Sequence, residues 1–248
     1  MRLSDRCFAV TGLGYLPPWT VNAGFITGDE TTLIVDTGAN AAAASTIHGY
    51  ASIARPSNRI IVLDTERHFD HIGGNGYFRE RGLDVYGHAS IQRTEGEFRA
   101  ERAEFNGEIA SPARRWRNES EVFYHGTRLA NPNCPITEDL RMNLGGCEIE
   151  ILLTPGHTPS NISVYVPSDG VLFSGDCLVN GYLPNLDAGS AADWQIWLES
   201  LDRVAGLGAK FLVPGHGPVA AGDEVARLVV GMRAVVRQSI DAGRSPTS

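Results

Sequence analysis

Thr65-Glu66-Arg67-His68-Phe69-Asp70-His71 is the stretch on which the fold reading turns. Within it, Glu66, His68, Asp70 and His71 put four cation-ligating side chains into six residues. Carboxylate and imidazole are the groups that hold zinc or iron at neutral pH. Glu66 and His68 stand two apart, so in extended backbone they point to one side. Asp70 and His71 follow where the chain curls toward Gly73-Gly74, which lets the segment aim two pairs at two adjacent ions. Arg59 to Leu63, just before it, is a short apolar run with β-branched residues and reads as a buried strand. The ligands therefore lie on a loop at a strand end.

Three more strings repeat this placement. His157 lies in Thr154-Pro155-Gly156-His157-Thr158, Asp176 in Phe173-Ser174-Gly175-Asp176, and His216 in Val213-Pro214-Gly215-His216-Gly217. Each follows an apolar strand and sits beside glycine, so its side chain can turn inward unobstructed. A lone carboxylate such as Asp176 can bridge two ions. The other histidines, His48, His88 and His125, have no such setting and read as surface or packed residues, with His88 near enough to a strand end to approach a cleft. Cys177, next to Asp176, points to the opposite face of its strand and reads as a buried thiol.

Further out, the chain alternates strands and helices in both halves. Phe25-Ile26-Thr27 and Thr32 to Asp36 flank Gly28-Asp29-Glu30 as a hairpin. Ala39 to Ala54 reads as a helix stopped by Pro56. Leu83 to Tyr86 is a strand, and Ser90 to Asn118 is charged and helical. Glu97, Arg99, Glu101, Arg102 and Glu104 alternate in sign at helical spacing, which reads as a solvated face. Asn131 to Pro135 is turn-rich. Strands follow at Cys147 to Leu153, Ile162 to Val166, Val171 to Phe173 and Lys210 to Val213. Ala191 to Ala205 is an amphipathic helix whose Trp194, Trp197, Leu198 and Leu201 face the core. Asp223 to Ala242 is a closing helix, and Gly243 to Ser248 a frayed tail. There is no repeat or low-complexity linker, so residues 1–248 are expected to form one domain, two packed sheets with helices outside.

The bulk numbers agree with a soluble enzyme-sized chain. The 248 residues are 42% hydrophobic and 20% charged, enough for a core without staples. The net charge of −8 argues against nucleic acid as a partner. No run approaches a membrane span, and Met1 to Val10 lacks the apolar run of a secretory signal. None of the four cysteines forms a Cys-x-x-Cys pair. A cytoplasmic protein acting on a small molecule is expected, and a homo-oligomer is compatible with the composition.

The four strings, in this order, resemble the metallo-β-lactamase superfamily, whose motif is His-x-His-x-Asp-His, a later His, a bridging Asp and a final His. Here the motif is Glu66-x-His68-x-Asp70-His71, His157, Asp176, His216, and Asp36 closes an early strand as that family's chains do. The resemblance spans about Asn22 to His216. It implies a four-layer αβ/βα sandwich with the metals between the sheets at one edge. It implies a first ion on Glu66, His68 and His157, a second on Asp70, His71 and His216, and Asp176 with a hydroxide between them. The hydroxide would attack an ester, thioester or lactone, with Asp70 orienting it.

Glu66 stands where the family usually has histidine. Two divalent ions, three carboxylates and a hydroxide then sum to zero charge, one unit below the five-histidine set. Zinc remains the expected metal, and the added oxygen ligand makes iron or manganese plausible. The same residue supports an alternative, a nonhaem di-iron redox or sensing protein of this fold without hydrolysis. A surface carboxylate is the plain alternative for Glu66. Trp19, Tyr182 and Asn185 are candidates for a substrate wall, and residues 90–134 are expected to form a helical insertion or lid.

Overall fold

The computed structural model describes residues 1–14, 20–108, 119–186 and 189–245. The first half runs β1 (Cys7–Leu13), β2 (Val21–Thr27), β3 (Thr31–Val35), α1 (Ala41–Ala54) and β4 (Arg59–Leu63). Two short helices, α2 (Phe69–Ile72) and α3 (Asn75–Arg79), lead to β5 (Val85–His88). After α4 (Glu95–Glu108) and α5 (Glu119–Phe123) the chain returns as β6 (Cys134–Ile136). The second half runs β7 (Leu140–Asn143), β8 (Glu148–Leu153), β9 (Ile162–Val166), β10 (Val171–Gly175), α6 (Ala191–Gly206), β11 (Phe211–Pro214), β12 (Ala220–Ala221) and α7 (Asp223–Ala242).

Each half makes a mixed sheet of six strands, in the orders β1-β2-β3-β4-β5-β6 and β12-β11-β10-β9-β8-β7. The period of two along each strand sorts side chains into layers. Leu33, Val35, Ile61 and Leu63 face inward and meet Ile149, Ile151, Val164, Phe173 and Val213 of the other sheet. Ile34 and Val62, one residue out of step, face α1 through Ala44, Ile47 and Ala51. On the far side Leu172 and Leu212 pack under Trp197 and Leu201 of α6 and Val229 and Val236 of α7. The result is a four-layer αβ/βα sandwich. Full burial of a Leu or Ile in these layers contributes roughly 1.5–3 kcal/mol each.

Local chemistry sets the boundaries. Asn40 caps α1 by accepting from the Ala43 backbone N–H at 2.8 Å. Arg55, which precedes Pro56, leaves the helical region at φ −147°, ψ 84°. Ser190 and Asp193 form a capping box at the start of α6. Gly243 ends α7 in the left-handed region at φ 63°.

Several elements differ from the sequence reading. The loop expected over Asp64 to Gly74 contains the single turn α2. The strand expected at Leu83 to Tyr86 lies two residues later. The turn-rich Asn131 to Pro135 holds β6, where Pro135 is tolerated because β6 is the sheet edge and its missing N–H interrupts no inner ladder. Strands β1, β7 and β12 had no counterpart in the pattern. The tail expected to fray keeps Ser245 buried; residues 246–248 lie outside the described residues, as does the part of the expected helical segment at 109–118.

Candidate metal centre

All four strings end strands at the same edge, and hydrogen bonds between the sheets hold them in register. The Ile162 backbone N–H donates to Thr65 O at 2.6 Å, tying β9 to the loop after β4. Asn22 of β2 donates through Nδ2 to Pro214 O at 2.9 Å and Gly217 O at 2.7 Å, on either side of His216. Gly215 has no tolerable replacement in this packing. A Cβ there would stand 1.8 Å from Asp176 Oδ1.

Three histidines are aimed by their outer nitrogens. His71 Nδ1 lies 2.9 Å from Asp36 Oδ2, His157 Nδ1 lies 3.0 Å from Asn185 O, and His216 Nδ1 lies 2.7 Å from Thr20 O. An acceptor at Nδ1 assigns the proton there and leaves Nε2 as a lone pair facing the centre. Asp36 does this from φ 63°, a conformation that aspartate tolerates better than most residues. Its carboxylate also accepts from Thr65 N and Thr65 Oγ1, both at 2.7 Å. Burial lifts the Asp36 carboxyl above its ordinary value despite His71 and the Thr65 donors.

The structure brings all seven motif residues together. Glu66, His68 and His157 form one group with ligand atoms within 4.8 Å of one another. Asp70, His71 and His216 form a second, and Glu66, His71 and Asp176 a third that overlaps both. Asp176 is central: Oδ1 is 3.3 Å from His71 Nε2, while Oδ2 is 3.5 Å from His157 Nε2 and 3.3 Å from His216 Nε2. Asp70 Oδ2 lies 3.1 Å from His216 Nε2.

These residues fit a cation. Glu66 Oε1, His71 Nε2 and Asp176 Oδ1 are buried with no hydrogen-bond partner, although His68 Nδ1 approaches Glu66 Oε1 to 2.8 Å. Orphaned buried polar atoms are costly, and three facing one another call for a charge between them. Where protons alone balance the carboxylates, the histidines carry them. Burial pulls His68 down, but Glu66 outweighs it and lifts the imidazole to about 9. His71 and His216 are likewise raised against their burial, chiefly by Asp36 and Asp176 respectively. Burial raises Asp176, and His216 and His71 more than reverse that, holding it well below the carboxylate range. Burial, helped by His68 and His71, lowers His157 despite Asp176 and Glu66.

A cleft of about 350 Å³ opens over the groups. One wall is Val179, Tyr182, Leu183 and Asn185, with Tyr182 half-exposed and its ring 6.4 Å from His216. The other includes Glu101 and Glu104 of α4. This corrects the reading of that helix as a solvated face: Glu101 is 21% exposed and turned to the cleft. Burial, and then Asp70, raise its carboxyl. Phe98, three residues earlier on the same side, was the available signal, since an apolar residue marks the inward face.

Of the remaining candidates, Trp19 lies outside the described residues. His88 bonds Ser90 Oγ at 2.7 Å and does not line the cleft. His48 packs on Tyr77 and Phe78, and His125 is exposed. Cys177 is buried, burial pushes its thiol up to about 12, and it belongs to none of the groups. No helix among the described residues is long and apolar enough to cross a membrane.

Two packed mixed sheets with imidazoles and carboxylates converging at one edge define a class of metallo-hydrolase. The chain belongs to the metallo-beta-lactamase superfamily, whose family model matches residues 16–216. It is 29% identical to the probable metallo-hydrolase YqgX of Bacillus subtilis (strain 168) across 81% of this chain and 87% of that one. It is 24% identical to an acyl-coenzyme A thioesterase from Gallus gallus across 84% of this chain and 76% of that one. The fold is that of a metallo-beta-lactamase family protein from Thermus thermophilus, at a TM-score of 0.71 and 22% identity, covering 97% and 82% of the two chains.

Proposed function

We propose that the protein hydrolyses a small ester, thioester or lactone with two divalent ions. Glu66, His68 and His157 hold the first, Asp70, His71 and His216 the second, and Asp176 is shared. The observation that carries this is the set of three orphaned buried atoms, Glu66 Oε1, His71 Nε2 and Asp176 Oδ1, where the two triads overlap. Zinc, or manganese or iron favoured by the oxygen of Glu66, would supply Lewis acidity and acidify a water at neutral pH. The thioester choice takes support from the relative named an acyl-coenzyme A thioesterase.

The chain's own residues do the rest. Asp70 borders the cleft and orients the attacking water. Asn185 fixes His157 through its carbonyl, and Tyr182 and Leu183 hold the apolar part of the substrate. Residues 1–248 act as one domain in which 90–134 lids the cleft. Glu101 and Glu104 line the site, and Arg67 pairs with Glu97 at 2.8 Å. Four unpaired cysteines support a reducing, cytoplasmic setting.

The test is metal content together with a panel of ester, thioester, lactone, lactam and phosphodiester substrates. Two bound ions and chelator-sensitive hydrolysis of an acyl substrate are expected; bound iron with no hydrolysis would move the protein to the redox reading that Glu66 also permits. Metal-free protein that turns over nothing refutes both.

A further inference from the structure

The two oxygens of Glu66 differ. Oε2 is tied to its own loop, accepting from the Arg67 backbone N–H at 3.1 Å. Oε1 is buried and stands between the two triads, paired with His68 Nδ1 at 2.8 Å and lying 3.5 Å from His71 Nε2. Glu66 accordingly groups with His68 and His157 and again with His71 and Asp176. Asp176 spans the triads in the same way, so two carboxylates, one from each sheet's loops, reach both.

A carboxylate oxygen has two lone pairs, whereas a neutral imidazole offers a single free one. A histidine at position 66 can therefore serve one ion, and Glu66 Oε1 can serve two. We propose that Glu66 is a second bridge beside Asp176, sharing Oε1 between both ions. This rests on the two-ion reading above and changes the residue from a ligand of the first ion into a link between them. It also places hard oxygen ligation on both ions at once, which suits manganese or iron at both positions better than a histidine at 66 would. Geometry supports the assignment independently of charge: Oε2 is turned to the Arg67 backbone N–H, and Oε1 is the oxygen that faces ligands of both triads.

Manganese(II) is the probe. Chelator-stripped protein is titrated with it while bound ions are counted and electron paramagnetic resonance is recorded. Ions joined through shared oxygen atoms couple, so the hyperfine pattern of isolated manganese should give way to a coupled signal once both positions fill. Glu66→His should still bind two ions, with the coupling reduced to what Asp176 and a shared hydroxide transmit. Glu66→Gln keeps the size of the side chain, covers the case in which Glu66→His does not fold, and should likewise weaken the coupled signal or release the second ion. Two ions with unchanged coupling in both variants overturn the bridge and leave the two-ion site standing. Fewer than two ions in the wild-type protein overturn both readings.

Discussion

The two sides of the cleft are built differently. The ligand side is made of loops at strand ends, with Glu66, His71, His157 and Asp176 buried and three of its imidazoles aimed by a second acceptor each. The α4 side is attached by a few contacts to the ligand loop itself. Phe98 stacks on Phe69 with centroids 4.4 Å apart, Arg67 pairs with Glu97, and Arg93 Nη1 donates to Arg67 O at 3.0 Å. Among the described residues, these anchors lie at Arg67 and Phe69, between ligand positions. On the proposed reading the sandwich would hold the chemistry and the wall that meets substrate would hang from it, so substrate choice could change without rebuilding the centre.

This contrast breaks first at Asp176. Asp176→Ala removes the carboxylate that approaches His71, His157 and His216 together. Activity should fall by more than about 100-fold, the upper end for losing a mere outer partner, and at least one ion should be lost by elemental analysis. Near-normal turnover with full metal content would remove Asp176 from the centre. Asp36→Asn tests the next shell. An amide cannot hold the His71 Nδ1 proton and both Thr65 donors as a carboxylate does, so metal affinity should drop by about 10–100-fold. Competition with a chromophoric chelator measures it, and unchanged affinity would make Asp36 a purely structural residue.

The same contrast explains what was legible in the sequence. The ligand strings could be read because each is local: an apolar strand, a glycine or proline, then the ligand. The sandwich followed from short apolar, β-branched runs bounded by turn residues, such as Thr32 to Asp36 after Gly28-Asp29-Glu30. Strand β12 has two residues and β1 lacks a continuous alternation, so their pairing depends on partners far along the chain. Asp36 showed itself as a strand end only; its grip on His71 spans 35 residues and has no local signature. Glu101 was misread because opposite-sign neighbours imitate a solvated helix, and the cleft beneath it is a tertiary fact.

The α4 side should yield to a smaller change. Phe98 is buried against Phe69 and Tyr124, and Phe98→Ala should cost about 3 kcal/mol, more where the cavity cannot collapse. Because the contact holds α4 rather than the sheets, the loss should appear as faster hydrogen exchange in Glu95–Glu108 and an altered ranking of small against bulky substrates. Bound metal should stay at the wild-type level. If the ions leave with Phe98, the two sides are one cooperative unit and the contrast fails.

Acidity separates the sides with the smallest signal. In chelated protein His68 is raised to about 9 from an ordinary 6.5 by Glu66. A group raised on folding contributes stability that is complete below its unfolded value and is lost as pH climbs through the folded one. Chelated protein should therefore lose melting temperature steadily from about pH 6.5 to 9, and the raised His71 and His216 add to the same trend. Bound ions must displace those protons, so ion affinity should rise over this interval and loaded protein should not follow the chelated slope. The buried thiols of Cys7 and Cys177, both lifted to about 12, add a fall of the same sign. It begins only as the unfolded thiols ionise, near 8.5 to 9, and is common to chelated and loaded protein. Subtracting one curve from the other isolates the ligand side, and the difference should survive Phe98→Ala, which touches only α4. A difference curve flat across this window would mean that His68 carries no extra proton in the folded protein, and that Glu66 and His68 are not facing each other as described.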